Sequence, residues 1–380
     1  MSDLEPILAL WRELEAAGTD YALATIVAVE GSSYRRPGAR MLIAADGRRA
    51  GTVSGGCLEA EVAKRAFWLT ENGPAVEQFS TFEEDGERPY GSGCGGLVSI
   101  LLERRKTAAD PLRALSDAFE QRAPLAIATV IEGAGIGHRA YAGRQDAAAN
   151  DEDGLDGIAT DLQMLAESAF TAGKFVNGRL LCGGRPAAAW ADYRPARPGL
   201  WVFSAGDDAK PMVRLARELG WFAAVVDGRA HLATRDRFPT ADLVSPINVS
   251  ALPGAEFASL GLRPTDAAVV MTHSFEQDSR VLASLLSLES PVAYVGALGP
   301  QRRTREMLRE AARLLGLPAS EDRVEQWLAA IHAPTGLDLG ADTPAEIALS
   351  IVSEIQQTIG RGSALPLRVV RAAKLETAPS

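Results

Sequence analysis

The chain has 380 residues, 47% of them hydrophobic, and a formal net charge of -10. That length exceeds one ordinary core and implies two or three domains, and the acidic balance excludes a broad basic surface for nucleic acid or anionic lipid. Cys57, Cys94 and Cys182 are too sparse for a disulfide framework and point to a reducing compartment.

The opening MSDLEPILALWRELE carries early acidic residues and places Leu4, Ile7, Leu8, Trp11 and Leu14 on one face. It reads as an amphipathic helix rather than a signal peptide. No apolar run is long enough to span a bilayer, so no membrane role and a cytoplasmic location are expected. Tyr21–Glu30 is a β-rich run closed by Gly31-Ser32-Ser33, and Ala39–Ala44 is a second strand. The glycine loop Gly51–Gly56 feeds a helix over Leu58–Thr70. A second glycine loop, Ser92–Gly96, precedes a strand over Leu97–Glu103.

The following stretch resembles a degraded copy. Ala22–Val29 reads ALATIVAV and Leu125–Ile131 reads LAIATVI; a helix (Leu162–Phe170), a glycine segment (Cys182-Gly183-Gly184) and a strand (Ala187–Trp190) recur in the same order. Residues 1–195 are therefore read as one α/β domain of two similar halves. Asp146–Asp156 is expected as an acidic surface loop, and Arg194–Gly199 as a linker.

Beyond it, strands at Leu200–Ser204, Ala223–Asp227, Ala267–Met271 and Val292–Val295 alternate with helices at Lys210–Leu219, Asp278–Leu288 and Arg302–Leu315. Alternation of this kind specifies a Rossmann-like, doubly wound parallel sheet, placed over 199–375. Ser204-Ala205-Gly206-Asp207-Asp208-Ala209 follows the first strand and Asp227 ends the second, the spacing of a dinucleotide fingerprint. Ser204 replaces the first glycine, Ala209 the third, and two aspartates stand where a pyrophosphate would dock. That favours a Rossmann fold reading another phosphate-bearing ligand, or none, over bound NAD(P). Met271-Thr272-His273 and the turn after Gly296 close two further strands, so His273 and Gly296 belong near Gly206. Arg302 and Arg303 at a helix start either clamp phosphate or form a solvated face. For His273, a structural hydrogen bond competes with a ligand role.

Cys57, in Ser54-Gly55-Gly56-Cys57-Leu58-Glu59, sits at a helix start, where the dipole favours a thiolate. Cys94, between Gly93 and Gly95, has open backbone on either side. Such thiols suit a soft metal or carried sulfur; the alternative is two small buried residues in tight turns. Zinc is disfavoured, because there is no Cys-x-x-Cys pair and His138 is the lone histidine of the first half. Cys182 follows an apolar run and reads as structural.

Together these segments resemble the XdhC/CoxI family of xanthine dehydrogenase accessory proteins. The resemblance rests on Gly31–Met41 (GSSYRRPGARM), the SGGCLEAEV from Ser54, the GSGCGG from Gly91, the VVDGR from Val225 through Arg229, Arg237-Phe238-Pro239, Met271-Thr272-His273, Tyr294-Val295-Gly296 and the tail from Ala333 to Ala348. It implies a homodimeric, molybdenum-cofactor-binding chaperone that supports sulfuration of the cofactor by a cysteine desulfurase and its transfer to a molybdenum hydroxylase apo-enzyme. It also implies Cys57 and Cys94 as molybdenum or sulfur contacts, with Ser54, Gly55, Gly56, Glu59, Gly93 and Gly95 around them, and Arg35, Arg36 and Arg40 on the pterin phosphate. The segment from Gly133 to Asp156 departs from the family pattern and looks like an insertion. An NAD(P)-dependent oxidoreductase using Gly206, Asp207, Asp227 and Arg229 is the competing expectation.

Overall fold

The computed structural model describes residues 4–56, 58–80, 96–144 and 158–370. The expected sites Cys57, Gly93, Cys94 and Gly95, and the acidic stretch Asp146–Asp156, lie outside them. The chain divides into two compact units, Met1–Arg197 and Pro198–Ser380.

The first unit runs α1 (Leu4–Ala17), β1 (Tyr21–Gly31), β2 (Arg40–Ala44), β3 (Arg49–Gly51), α2 (Glu59–Leu69), β4 (Ala75–Ser80) and β5 (Gly96–Arg104). It continues through α3 (Arg105–Glu120), β6 (Leu125–Glu132), β7 (Arg139–Ala142), α4 (Ile158–Ala172), β8 (Val176–Cys182) and β9 (Arg185–Arg194). The expected repeat is present in every strand but β3, which has no counterpart among the described residues. One antiparallel sheet has the order β3-β2-β1-β5-β4 and the other β7-β6-β9-β8. Superposing the orders pairs β1 with β6, β2 with β7, β5 with β9 and β4 with β8. Even the bulge recurs, between Ile26 and Ala28 in one half and Val130 and Glu132 in the other. Gly133–Arg144, the described part of the expected insertion, has a counterpart in the first half. It is the turn and strand β7 that repeat β2, hidden in the sequence because β7 is only four residues long.

Strand alternation assigns the faces. Ala22, Ala24 and Ile26 of the first sheet pack on Val62 and Ala66 of α2. Ala126, Ala128 and Val130 of the second pack on Leu162 and Ala166 of α4, together with buried Cys182. The opposite faces share a core with α1 and α3, where Leu8, Leu14, Leu112 and Leu115 meet Leu23 and Ile127. Each fully buried leucine or isoleucine there contributes roughly 1.5–3 kcal/mol. The expected linker is not slack: β9 runs through Arg194, and the Arg197 guanidinium lies 4.3 Å from the Phe119 ring centroid while its carbonyl accepts from Arg122.

The second unit comprises β10 (Gly199–Phe203), α5 (Ala209–Glu218), β11 (Phe222–Asp227), β12 (Leu243–Pro246), α6 (Ala255–Ala258), β13 (Ala267–Val270), α7 (Phe275–Leu286), β14 (Tyr294–Ala297), α8 (Gln301–Leu314), α9 (Glu321–Ala330) and α10 (Pro344–Gly360). The sheet is parallel, ordered β12-β11-β10-β13-β14, so the chain reverses direction between β10 and β13. Leu200 and Val202 face α5 and α10, whereas Trp201 and Phe203 face α7 and α8. Burial on both faces is why these strands read as continuous apolar runs. α10 starts at a capping box of Thr343 and Glu346 with Pro344 in its first turn.

A segment past α9 lies along β14 as a further parallel neighbour: His332 N–H donates to Val295 O at 2.8 Å and Ala297 N–H to His332 O at 2.9 Å. Glu354 of α10 clamps it. Its carboxylate accepts from Tyr294 Oη at 2.6 Å and Gly336 N–H at 2.7 Å, and lies 3.1 Å from His332 Nδ1. Burial pushes this carboxyl up, but those hydrogen bonds outweigh it and hold it below the ordinary 4.5. A carboxyl depressed in the folded state stabilises fully above its unfolded value and loses that contribution as pH falls through its folded value. We expect urea melts below about pH 4.5 to lose stability that Glu354→Gln does not lose; parallel curves for the two proteins would refute this role.

Candidate functional site

In the first unit, the motif after β1 forms one wall of a cleft of about 460 Å³, lined by Tyr34–Arg40, by Asp192–Pro195 and by Leu4 and Ile7. The lining holds four arginines, Arg35, Arg36, Arg40 and Arg194, and a single acid, Asp192. This local excess of positive charge, on a chain of net charge -10, favours an anionic ligand.

The arginines are not equivalent. Arg40 is buried, donates to Gly38 O at 3.0 Å and pairs with Asp192 at 2.9 Å. Burial pulls its guanidinium down to about 10, against the raising effect of Asp192. Arg194 also bridges Asp192 and donates to Gly38 O. Burial would raise the Asp192 carboxyl; Arg194 and Arg40 outweigh it and hold it below its ordinary range. Gly38 has φ +92°, and a Cβ there would stand 2.9 Å from Asp192 Oδ1, so glycine is required by conformation and by space. Arg40 thus anchors the loop, whereas Arg36 is exposed at the cleft. The Arg35 guanidinium lies 5.9 Å from the Tyr34 ring centroid.

The repeat explains Arg40. Its counterpart in the second half, Arg139, pairs with Glu103 at 2.6 Å, and Glu103 is the β5 counterpart of Asp192. Each half sends a buried arginine to the buried acid of the other. The two crossed pairs tie the halves together.

The Ser54-Gly55-Gly56 loop meets the same region. A Cβ on Gly55 would sit 3.5 Å from the Tyr34 ring, and Gly96 abuts the backbone of Ser32 and Glu30. All three expected motif segments therefore reach one end of the β1–β5 pair through their described residues. Glu59, the first residue of α2, accepts from Ser54 N–H at 2.8 Å and Ser54 Oγ at 2.5 Å, while Ser54 Oγ accepts from Leu58 N–H at 3.0 Å. Burial raises the Glu59 carboxyl, and the Ser54 bonds outweigh it and keep it below its ordinary value. Ser54 and Glu59 thereby set the backbone on both sides of position 57.

In the second unit, Gly206, Asp207, Asp227, Arg229 and His273 collect at the carboxyl ends of β10, β11 and β13, at the reversal point where open α/β sheets take ligands, whereas Gly296 lies within β14 and Arg302 and Arg303 on α8. Asp227 is fully buried and both its oxygens are engaged: Oδ2 accepts from Ala205 N–H at 2.7 Å and Arg229 Nη2 at 2.7 Å, Oδ1 from Arg229 N–H at 2.8 Å. Burial raises its carboxyl, but Arg229 and the Ala205 amide hold it below its ordinary range. Asp208 bridges the crevice to His273 Nε2 at 2.7 Å, and a Cβ on Gly206 would meet Asp208 Oδ1 at 2.5 Å. Asp207 points to Lys210 and Arg237. A carboxylate engaged by arginine and an acidic side chain over the phosphate turn do not fit a nicotinamide dinucleotide. Arg303 pairs with buried Asp278 at 2.7 Å, while Arg302 is exposed on the same helix. Gly296 makes room for its own chain, because a Cβ there would stand 2.5 Å from Thr335 Oγ1 and 2.8 Å from Tyr294.

Comparison with known proteins now places the chain. Residues 14–80 match the model of the XdhC and CoxI family and residues 200–355 that of the XdhC Rossmann domain. A Bacillus subtilis protein, named as a probable xanthine dehydrogenase subunit, is 30% identical over 342 residues, covering 88% of this chain and 92% of its own. The chain belongs to the XdhC and CoxI family. A solved Bacillus halodurans structure, described as a xanthine dehydrogenase, has a TM-score of 0.68 and 27% identity to this XdhC-family chain, covering 96% of it and 97% of its own chain. The Escherichia coli molybdenum cofactor insertion chaperone PaoD is 33% identical over 134 residues, 33% of this chain and 39% of its own.

Sequence reasoning passes over Asp192, Arg194 and Asp278 in this XdhC-family chain. Asp192 and Arg194 stand two apart on β9, a spacing that places both on one strand face, but nothing local ties them to Arg40. Asp208 reads in the sequence only as a misfit in the turn. Among the described residues, no group of three or more His, Cys, Asp or Glu is placed to hold a metal, and no helix is long and apolar enough to cross a membrane.

Proposed function

We propose that this chain is a maturation factor that holds the molybdenum cofactor in the cleft of its first unit and delivers it to a molybdenum hydroxylase of the xanthine dehydrogenase type. The carrying observation is the cleft itself: four arginines and a single aspartate in its lining, on an otherwise acidic chain, beside the loop that leads to Cys57. Arg35 and Arg36 take the phosphate of the pterin by charge-assisted hydrogen bonds. Cys57 and Cys94 provide the sulfur or metal contacts that the family resemblance implies. Sulfuration by a cysteine desulfurase, a homodimeric state and a cytoplasmic location belong to the same reading. The names of PaoD and of the Bacillus subtilis relative support it.

The test is analysis of protein purified from its own host. Pterin is oxidised to its fluorescent form and molybdenum is counted by mass spectrometry. Near-stoichiometric amounts of both are expected, with retained pterin lowered about tenfold or more in Arg36→Gln, the loss of one charge-assisted hydrogen bond. Neither pterin nor molybdenum in the wild-type protein would overturn the reading.

A further inference from the structure

The two halves of the first unit serve as each other's control. They share the four-strand order, the bulge and the crossed ion pairs, so a loop longer in one than in the other is not required by the shared fold. Nine residues separate Ala28 from Gly38 in the first half, and four separate Glu132 from the equivalent Gly137 in the second. The longer connection carries Tyr34, Arg35 and Arg36; the shorter, Gly133-Ala134-Gly135-Ile136, carries neither an aromatic ring nor a charge.

Tyr34 is the unusual member of the longer loop. It lines the cleft, yet it is 71% exposed. Its ring has two neighbours: a Cβ on Gly55 would stand 3.5 Å from it, and the Arg35 guanidinium lies 5.9 Å from its centroid. A large aromatic residue left exposed at a cleft is suited to receive a flat partner, because it offers a wide apolar face and has only two side-chain torsions to fix on binding. Arg36, two residues on, supplies a cation on the same wall. The cleft volume of about 460 Å³ lies in the range of small-ligand sites.

We propose that Tyr34 is the stacking platform of this cleft and Arg36 its anion contact, so that the cleft selects a planar heterocycle carrying a phosphate rather than a phosphate alone. This rests on the reading of the cleft as the cargo site, and deepens it by assigning the ring to one residue and the charge to another. The second half, lacking both, does not bind such a ligand.

The test titrates the full chain with 6-hydroxymethylpterin monophosphate, following quenching of pterin fluorescence, with inorganic pyrophosphate as competitor. Tyr34→Phe keeps the ring and is expected to bind within about threefold of wild type. Tyr34→Leu keeps an apolar cover over Gly55 but removes the π face. It is expected to bind the pterin about 10- to 100-fold more weakly, without quenching, and pyrophosphate unchanged. Arg36→Gln is expected to weaken both ligands. If Tyr34→Leu binds and quenches the pterin phosphate as wild type does, the platform assignment falls and the cargo reading stands. If the wild-type chain binds pyrophosphate but no pterin phosphate, or binds neither, both fall together.

Discussion

Asp192→Ala is expected to destabilise the first unit by about 3–5 kcal/mol, the cost of removing one partner from a buried ion pair. The change leaves the Arg40 guanidinium buried without its ion-pair partner, because Asp192 pairs with it at 2.9 Å and both are largely closed to solvent. For a unit of this size the melting temperature should fall by roughly 6–20 °C. Arg40→Met should cost less, because Asp192 keeps Arg194 as a partner. The double variant Arg40→Met/Asp192→Leu separates charge from packing: apolar replacement of a whole buried pair is often neutral, so it should recover most of the lost stability. It should not recover cofactor retention, since Gly38 O then lacks the Arg40 donor that helps hold the loop of Tyr34 to Pro37. Calorimetric melts of the single and double variants, together with the pterin assay, decide this. A single variant within about 1 kcal/mol of wild type would mean that the pair is dispensable.

The second large effect is expected at Asp278→Ala, at about 3–5 kcal/mol in the second unit. Asp278 is 1% exposed and accepts from Thr272 N–H at 3.0 Å, Thr272 Oγ1 at 2.6 Å and Arg303 Nη2 at 2.7 Å. Removing it orphans the buried Thr272 amide, leaves the Thr272 hydroxyl only its contacts with Ser274, and takes the carboxylate from one arginine. Asp278→Asn keeps an acceptor for Thr272 and loses only the charge opposite Arg303, so it should cost roughly 1–2 kcal/mol. The local consequence reaches His273, which holds a left-handed φ of +64° immediately after Thr272 and bridges to Asp208. Hydrogen exchange should therefore show loss of protection from 271 to 274 in Asp278→Ala before global unfolding. Equal destabilisation by Ala and Asn would place the whole effect on the Arg303 charge and refute the role given to Thr272.

Both effects depend on residues that are inconspicuous in the sequence. The parallel sheet is legible there because its strands are buried on both faces and so appear as apolar runs between amphipathic helices, as at Leu200–Phe203 and Ala223–Val226. The repeat is legible where β1 and β6 share an alternating apolar stretch. It is obscure where counterparts are short or partly exposed. β4 (AVEQFS) and β7 (RAYA) carry too little periodicity to stand out, and α3 contains Pro111. A proline inside a helical pattern suggests a break, yet α3 continues through it.

The site divides along the same line. The family, the glycine-rich loops and the cationic character of Tyr34–Arg40 are properties of contiguous residues, because loop conformation and local charge are set by neighbours in the chain. Which arginine faces ligand and which anchors the loop is decided only in three dimensions: Arg40 meets Asp192 from a distant part of the chain, and a buried charge takes whatever partner the packing brings within reach. Asp227 shows the converse. Its place at the end of the second parallel strand is fixed by sequence spacing, yet its availability to a ribose is decided by Arg229 and the Ala205 amide, which close on it in the folded sheet and occupy both its oxygens. Short-range order follows from the chain's own periodicity; the assignment of charges to partners follows from burial, which exists only once distant strands are brought together.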